Sequence, residues 1–304
     1  MPATPHLWRA FFMPARGRLC HAMALCLISP LLITRPCLAE TQLKIATWNM
    51  DWLINETSPQ AQTAPPDIPH RTPDDFYALS DYAQHLNADI IAFQETDNKD
   101  TATRVFSELR YTILMTHDDI LQRTGIALNK NLHITRHPDL TELSTAGVNT
   151  RHLLRSGLDI TVQSDHSALR LLVIHLKAGC SYYPMTEKKH SCPTLIKQFS
   201  ILQKWIAQRQ ASHEAFLILG DFNRRLTKAD PLFLKLSQSG PLMLTTSGFA
   251  TPCDGGRYFI DHLIAGGDAI SWIAPGSLKV MLYKPDEQAL TSDHCPVSVK
   301  LIMP

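Results

Sequence analysis

The chain has 304 residues, 44% hydrophobic and 19% charged, which is ordinary for a packed globular protein of one large or two small domains. Its 29 basic and 28 acidic residues give no strong positive excess, which argues against a tight, passive nucleic-acid binder but not against an enzyme that meets an anionic substrate through a metal ion.

Residues 1–39 differ from the rest. Arg9, Arg16 and Arg18 precede an apolar run from Ala22 to Ile33, no Asp or Glu occurs, and a small residue stands at the exit in Cys37-Leu38-Ala39. That is the layout of a secretory signal peptide. The run is broken by Pro30 and falls short of the ~20 residues that span a bilayer. Cleavage near Ala39 is expected, leaving residues 40–304 as a periplasmic or extracellular protein with no transmembrane segment. The leader takes four of the 29 basic residues and none of the 28 acidic ones, so the mature net charge is −3.

Along the mature chain, Leu43 to Trp48 alternates as a strand does. Asp74 to Leu86 carries apolar residues at helical spacing after Pro73, and Asp89 to Gln94 reads as a short buried strand. Further strands are predicted at 111–115, 124–129, 158–164, 169–176, 214–219, 258–264, 278–283 and 296–302, and helices at 101–109, 194–210 and 229–237. The Pro-rich stretch 57–73 lies between two elements rather than between domains, and no repeat appears. Many short strands with fewer helices predict one α/β domain over 40–304, two packed sheets covered by helices. Cleavage leaves Cys180, Cys192, Cys253 and Cys295. An even count in an exported protein suggests disulfides, and of three pairings we expect Cys180 with Cys192 and Cys253 with Cys295. The four are scattered without a CxxC spacing, which argues against zinc.

The polar residues of interest fall at strand ends, where loops display side chains on a rigid scaffold. Asn49 ends the first strand, Gln94-Glu95 the next, and His175 with Lys177 closes 169–176. Gly220-Asp221-Phe222-Asn223 follows an apolar strand, Asp261 lies in 258–264, and Ser292-Asp293-His294 leads into the last strand. Phosphodiester hydrolysis needs a cation for developing charge, a base for water and a proton for the leaving oxygen. Carboxylates such as Glu95 suit a hard, oxygen-seeking ion, and histidines titrate near neutral pH. Asp221 and Asn223 are close enough to act on one water and one phosphate. Asp261 and His262 are adjacent on a strand and face opposite ways, so at most one belongs to the site. Singly, His175 reads as a strand histidine, Asp221-Phe222-Asn223 as a turn and Asp293 as a loop cap.

The ordered set is more specific. Ile45-Ala-Thr-Trp-Asn49, Ile91-Ala-Phe-Gln-Glu95, Ile174-His-Leu-Lys177, Leu219-Gly-Asp-Phe-Asn223, Ile260-Asp-His262 and Ser292-Asp-His294 together resemble the endonuclease/exonuclease/phosphatase superfamily, which includes deoxyribonuclease I. The resemblance implies a four-layer α/β sandwich of two mainly antiparallel sheets flanked by helices, with the site at one sheet edge. It implies a divalent ion, Mg²⁺ with Mn²⁺ or Ca²⁺ as alternatives, held by Glu95 and Asp293 with Asn49 near metal and phosphate. It also implies His175 at the phosphate, Asp221 at water, Asn223 at the phosphate, and His294 paired with Asp261. The assignment of acid and base between the histidines stays open. For a partner of His175 the nearest polar candidates are Gln122 and Arg123. The segments Arg155-Ser-Gly-Leu-Asp159, His175-Leu-Lys-Ala-Gly-Cys180 and Gly220-Asp-Phe-Asn-Arg-Arg225 are similar to those of a smaller group of secreted bacterial members, and on that ground Arg155 or Arg224 is expected to reach the substrate phosphate.

A nuclease acting on DNA or RNA is the leading expectation, with nucleic acid as substrate and no stable protein partner. Compact length supports it, as do Tyr182-Tyr183 and Lys188-Lys189-His190, which could stack on bases and meet phosphates. The alternatives are a lipid head-group phosphodiesterase, a phosphatase for a small phosphate ester, and a non-catalytic binding module.

Overall fold

The computed structural model describes residues 40–58, 61–62, 64–147, 153–285, 287 and 291–304. The expected leader, residues 1–39, and its cleavage point lie outside the described residues. Among the described residues twelve strands, β1 to β12, form two six-stranded sheets. The first runs β11 (Lys279–Val280), β12 (Val297–Met303), β1 (Thr41–Leu53), β2 (Ile90–Thr96), β4 (Arg123–Asn129), β3 (Tyr111–Met115). The second runs β5 (His133–Arg136), β6 (Leu158–Gln163), β7 (Ala168–His175), β8 (Ala215–Asp221), β10 (Asp261–Gly266), β9 (Leu242–Leu244).

Strand alternation builds the layers. In β1, Leu43 and Ile45 enter the core between the sheets, while Ala46, Trp48 and Met50 face the other way, beneath the helix α1 (Pro73–Leu86). In β8, Leu217 and Leu219 join the inter-sheet core, while Phe216 and Ile218 pack under α3 (Cys192–Ala211). Because both faces of these strands are covered, they read as apolar runs rather than strict alternation. Helix α1 begins with a capping box, Thr72 with Asp75 at N3, and Pro73 in its first turn; Asn87 ends it in the left-handed conformation. It buries Phe76, Leu79, Tyr82, Ala83 and Leu86 on the first sheet. The result is the expected four-layer α/β sandwich.

Both sheets are antiparallel except at their centres, where β1 runs parallel to β2 and β7 parallel to β8. A parallel pair opens both carboxyl ends on one edge, so Asn49 lies opposite Gln94, and His175 opposite Asp221. The antiparallel neighbours bring their beginnings there: Asp261 of β10 pairs with Asp221, and Val297 of β12, just past His294, pairs with Thr47.

The predicted helix 101–109 is confined to α2 (Lys99–Thr103), because Phe106 turns inward to stack on Phe93 at 5.1 Å. The predicted strand 278–283 is regular only as β11, and 258–264 only from Asp261 onward, with Tyr258 in an isolated bridge to Ala250. Helix 229–237 is α4 (Pro231–Leu236); β5, β9 and the short α5 (Ala269–Trp272) have no counterpart in the predicted elements. Cys180 is bonded to Cys192 and Cys253 to Cys295, with Cα separations of 5.0 and 6.1 Å, the two pairs expected. No helix of the described residues is long and apolar enough to cross a membrane.

Candidate active site

At the shared sheet edge the backbone leaves its usual conformations. Asp51, Trp52, Glu95 and Asn223 all have positive φ, between 46° and 62°, a clustering characteristic of sites where side chains must be re-aimed. Gly220 has φ 143°, and a Cβ there would lie 1.9 Å from the carbonyl oxygen of Ile174, so only glycine lets β8 close on β7 at this point.

These turns assemble one continuous network. The Asn49 amide donates from Nδ2 to Glu95 Oε1 at 3.0 Å and to Asp221 Oδ2 at 3.1 Å, linking the two sheets. Glu95 Oε2 accepts from the Trp52 backbone N–H and from Gln122 Nε2. The Asn223 backbone N–H donates to Asp221 Oδ1 at 2.7 Å, and its side chain donates to Asp221 Oδ2 and to the Leu176 carbonyl. His294 Nδ1 meets Asp261 Oδ2 at 2.7 Å. Ser292 explains the serine before Asp293-His294: its hydroxyl donates to the Asn49 carbonyl and accepts the His294 N–H, tying that loop to β1. Tyr283 donates to the His294 carbonyl from the other side at 2.6 Å.

His175 lies behind this network. Its Nε2 is 3.5 Å from Glu95 Oε1 and 3.6 Å from Asp221 Oδ2, beyond good hydrogen-bond length, and its buried Nδ1 has no partner among the described residues. Neither sequence candidate pairs with it. Gln122 bridges Glu95 and Arg155, and Arg123 donates to the Asp97 carbonyl. Arg155 is buried, donates to Gln122, and its Nε has no partner among the described residues; Asp118 fixes the adjacent Ser156 through both oxygens.

The two histidines are driven apart in charge. Burial, then the Arg155 cation, holds His175 well below the ordinary imidazole range, so it is neutral. Burial pushes His294 down as well, but the Asp261, Asp221 and Asp293 carboxylates overcome it and hold it well above that range. Burial, reinforced by Asp261, pushes Asp221 up to about 7. Asp51, which no motif in the sequence marks, rises to about 6 through burial and the nearby Asp293 and Glu95 charges. Burial and Glu95 also raise Asp293, although its side chain is 72% exposed and solvent damps the shift. The signal for Asp51 is its place two residues after Asn49, hidden because the strand alternation in the sequence stops before it; β1 continues to Leu53 through the left-handed turn.

The expected ion ligands thus lie beside a further carboxylate. Asn49, Asp51, Glu95 and Asp293 offer oxygen donors; beyond burial, the charges of Asp293 and Glu95 raise Asp51 and those of Glu95 and Asp261 raise Asp293, and a divalent cation would relieve that repulsion. Asp221, Asp261 and His294 also bring one ligand atom each within 4.8 Å of one another. There, however, His294 Nδ1 is already committed to Asp261. Beside His294 opens a cavity of about 230 Å³ lined by Arg225, Asp254, Arg257, Asp261 and Asp293.

Arg224 corrects an expectation. It is buried away from the site, pairs with Asp230 through Nε and Nη2, and donates from Nη1 to the carbonyls of Cys180 and Tyr183. It secures a loop rather than reaching for phosphate. His262 points opposite to Asp261, as strand geometry requires: its Nε2 meets the Arg224 carbonyl at 3.0 Å and its Nδ1 accepts from the Thr246 hydroxyl at 2.6 Å.

Solved structures share this fold at low identity. A truncated Caenorhabditis elegans TDP2 matches with 15% identity and TM-score 0.58, over 86% of this chain and 98% of that one. The human Nocturnin catalytic domain with bound sulfate matches with 15% identity and TM-score 0.54, over 86% and 95%. D. rerio TDP2 complexed with single-strand DNA product matches with 16% identity and TM-score 0.56, over 86% and 98%. No curated protein matches the chain by sequence. The family model described as "Endonuclease/Exonuclease/phosphatase family" matches residues 46–294, from just before Asn49 through His294. The chain therefore belongs to the endonuclease/exonuclease/phosphatase family, whose members are typically metal-dependent phosphoesterases.

Proposed function

We propose that this protein is an exported, divalent-metal-dependent nuclease that hydrolyses phosphodiester bonds of DNA or RNA. The observation that carries the reading is the single network joining Asn49, Glu95, Asp221 and Asn223, with the His294–Asp261 pair and neutral His175 beside it. Export is supported by the leader composition and by two disulfides. Nucleic acid as substrate is supported by family membership and by the single-strand DNA product bound to the D. rerio relative.

Asn49, Asp51, Glu95 and Asp293 would hold the ion, and their all-oxygen set suits Mg²⁺, with Mn²⁺ or Ca²⁺ as alternatives. When bound, such an ion neutralises charge developing on the phosphoryl oxygens. Arg155 and the neutral His175 would donate hydrogen bonds to those oxygens, and Asn223 would join them by exchanging its contact with the Leu176 carbonyl for one with the phosphate. Asp221, its carboxylate fixed by Asn49 and Asn223, orients the attacking water and takes its proton as the new P–O bond forms. His294, held through Nδ1 by Asp261, gives a proton from Nε2 to the departing oxygen as the old P–O bond breaks. Plasmid DNA incubated with Mg²⁺ is expected to be nicked by wild type, and not after EDTA addition or by an Asp221→Ala His294→Ala double variant. Wild type matching the double variant would overturn the nuclease reading.

A further inference from the structure

Outside the catalytic network, the disulfide Cys180–Cys192 closes a loop that carries three aromatic rings in one pile. Tyr182 stacks on Tyr183 with centroids 4.8 Å apart and planes within 25°, and Tyr183 stacks on His190 at 4.6 Å and 13°. The pile is anchored from below. Tyr183 is part-buried against the core under α3, whereas Tyr182 is 70% exposed. It is also tied to the site: Arg224 and Arg225, the two residues after Asn223, donate to the carbonyls of Cys180, Ser181 and Tyr183. Lys188 and Lys189 stand exposed on the same loop.

Nothing in the catalytic scheme uses these rings. Three stacked rings held by a covalent closure and a buried guanidinium form a flat surface whose conformational entropy is already spent, the property that makes aromatic residues good binding anchors. An exposed ring on a loop that also carries two exposed lysines matches a nucleobase and a neighbouring phosphate. In a duplex both faces of each internal base are taken by neighbours; in a single strand they are free. We propose that the Tyr182–Tyr183–His190 pile is a stacking platform for an unpaired base, making single-stranded nucleic acid the preferred substrate of the adjoining site. This rests on the nuclease reading and adds strand preference to it.

The test uses Tyr182→Ala, at an exposed position where misfolding is not expected, with Tyr182→Trp as the variant that keeps a stacking face. Stacking of one base changes affinity by roughly tenfold or more. KM for a single-stranded oligonucleotide is expected to rise about tenfold in Tyr182→Ala and be restored in Tyr182→Trp, with kcat little changed and KM for the duplex moved less than twofold. In parallel, anisotropy of a fluorescein-labelled oligothymidylate is measured on Asp221→Asn and Asp221→Asn Tyr182→Ala proteins. Tyr182-dependent binding without cleavage by wild type would sink the nuclease reading and leave the platform standing. Equal KM changes on single strand and duplex, or oligothymidylate binding indifferent to Tyr182, would overturn the platform. So would Tyr182-dependent binding to phosphatidylcholine vesicles in place of the oligonucleotide.

Discussion

His175 and His294 share one site and settle in opposite charge states, because one is buried beside the Arg155 cation and the other is ringed by Asp261, Asp221 and Asp293. Asp261 contributes both charge and direction to His294, through a 2.7 Å contact. Asp261→Asn keeps the shape and removes the charge. It is expected to lower kcat by about 10²- to 10⁴-fold, the span of a general acid's contribution, and to lower the His294 titration midpoint followed by NMR. An unchanged midpoint would show that Asp261 does not set the histidine's charge. At this scale the sequence was informative where chemistry restricts residue type: Glu95, His175, Asp221, Asn223 and Asp293-His294 stand at the sheet edge as their strand-end positions suggested. It misled at Arg224, because an arginine fork fits backbone carbonyls and a buried aspartate as well as phosphate, and burial is not written in a local string.

At the element scale, the unused neighbour of Asp261 has its own task. His262 joins β10 to the segment after Asn223 through the Arg224 carbonyl, and to Thr246 beyond β9. Burial lowers it to about 4, so the fold accepts it only as neutral imidazole. An unfolded histidine titrates near 6.5, and the unfolded chain binds the extra proton between those values. The stability from neutral His262 is therefore present above pH 6.5 and lost as pH falls toward 4, by about 3 kcal/mol in all. Because Asp221 titrates in the opposite sense, the measurement is the difference between wild type and His262→Gln in urea unfolding at pH 7.5 and 4.5. That difference is expected to shrink at the lower pH, and a constant difference would refute the assignment. Strand positions were largely legible from apolar runs and turn residues. The failures were elements whose pairing depends on distant partners: β5 and β9 on sheet margins, β11 with its two residues, and the helix after Asn98 cut short by inward-turning Phe106.

Across the whole molecule, the carboxylates of Asp51, Glu95, Asp221 and Asp293 crowd one edge at a cost to the fold, and a ligand that binds only the folded state repays it. Saturating Mg²⁺ is expected to raise the melting temperature by several degrees over an EDTA-treated sample, given about 2.7 kcal/mol at a hundredfold excess over Kd. Asp51→Asn Glu95→Gln should abolish the increment while raising the melting temperature without metal. An increment surviving the double substitution would place the ion elsewhere. The two-sheet architecture was legible from the number and spacing of strands, but its inner registry was not, since nothing local says which sheet a strand joins.

The Asn49 amide reaches Glu95 in its own sheet and Asp221 in the other. If the proposed function holds, catalytic competence is a property of neither sheet but of the angle and distance between them, set by Ile45, Leu171, Leu217 and Leu219 in the layer they share. A partly denatured state retaining far-UV ellipticity but no near-UV signal should be silent even with every strand intact. Leu217→Ala, a cavity in that layer costing about 2–5 kcal/mol, should make turnover fail at a lower urea concentration together with near-UV dichroism. Turnover then serves as a gauge of the seam: a ruler one amide long, read out in cleaved bonds.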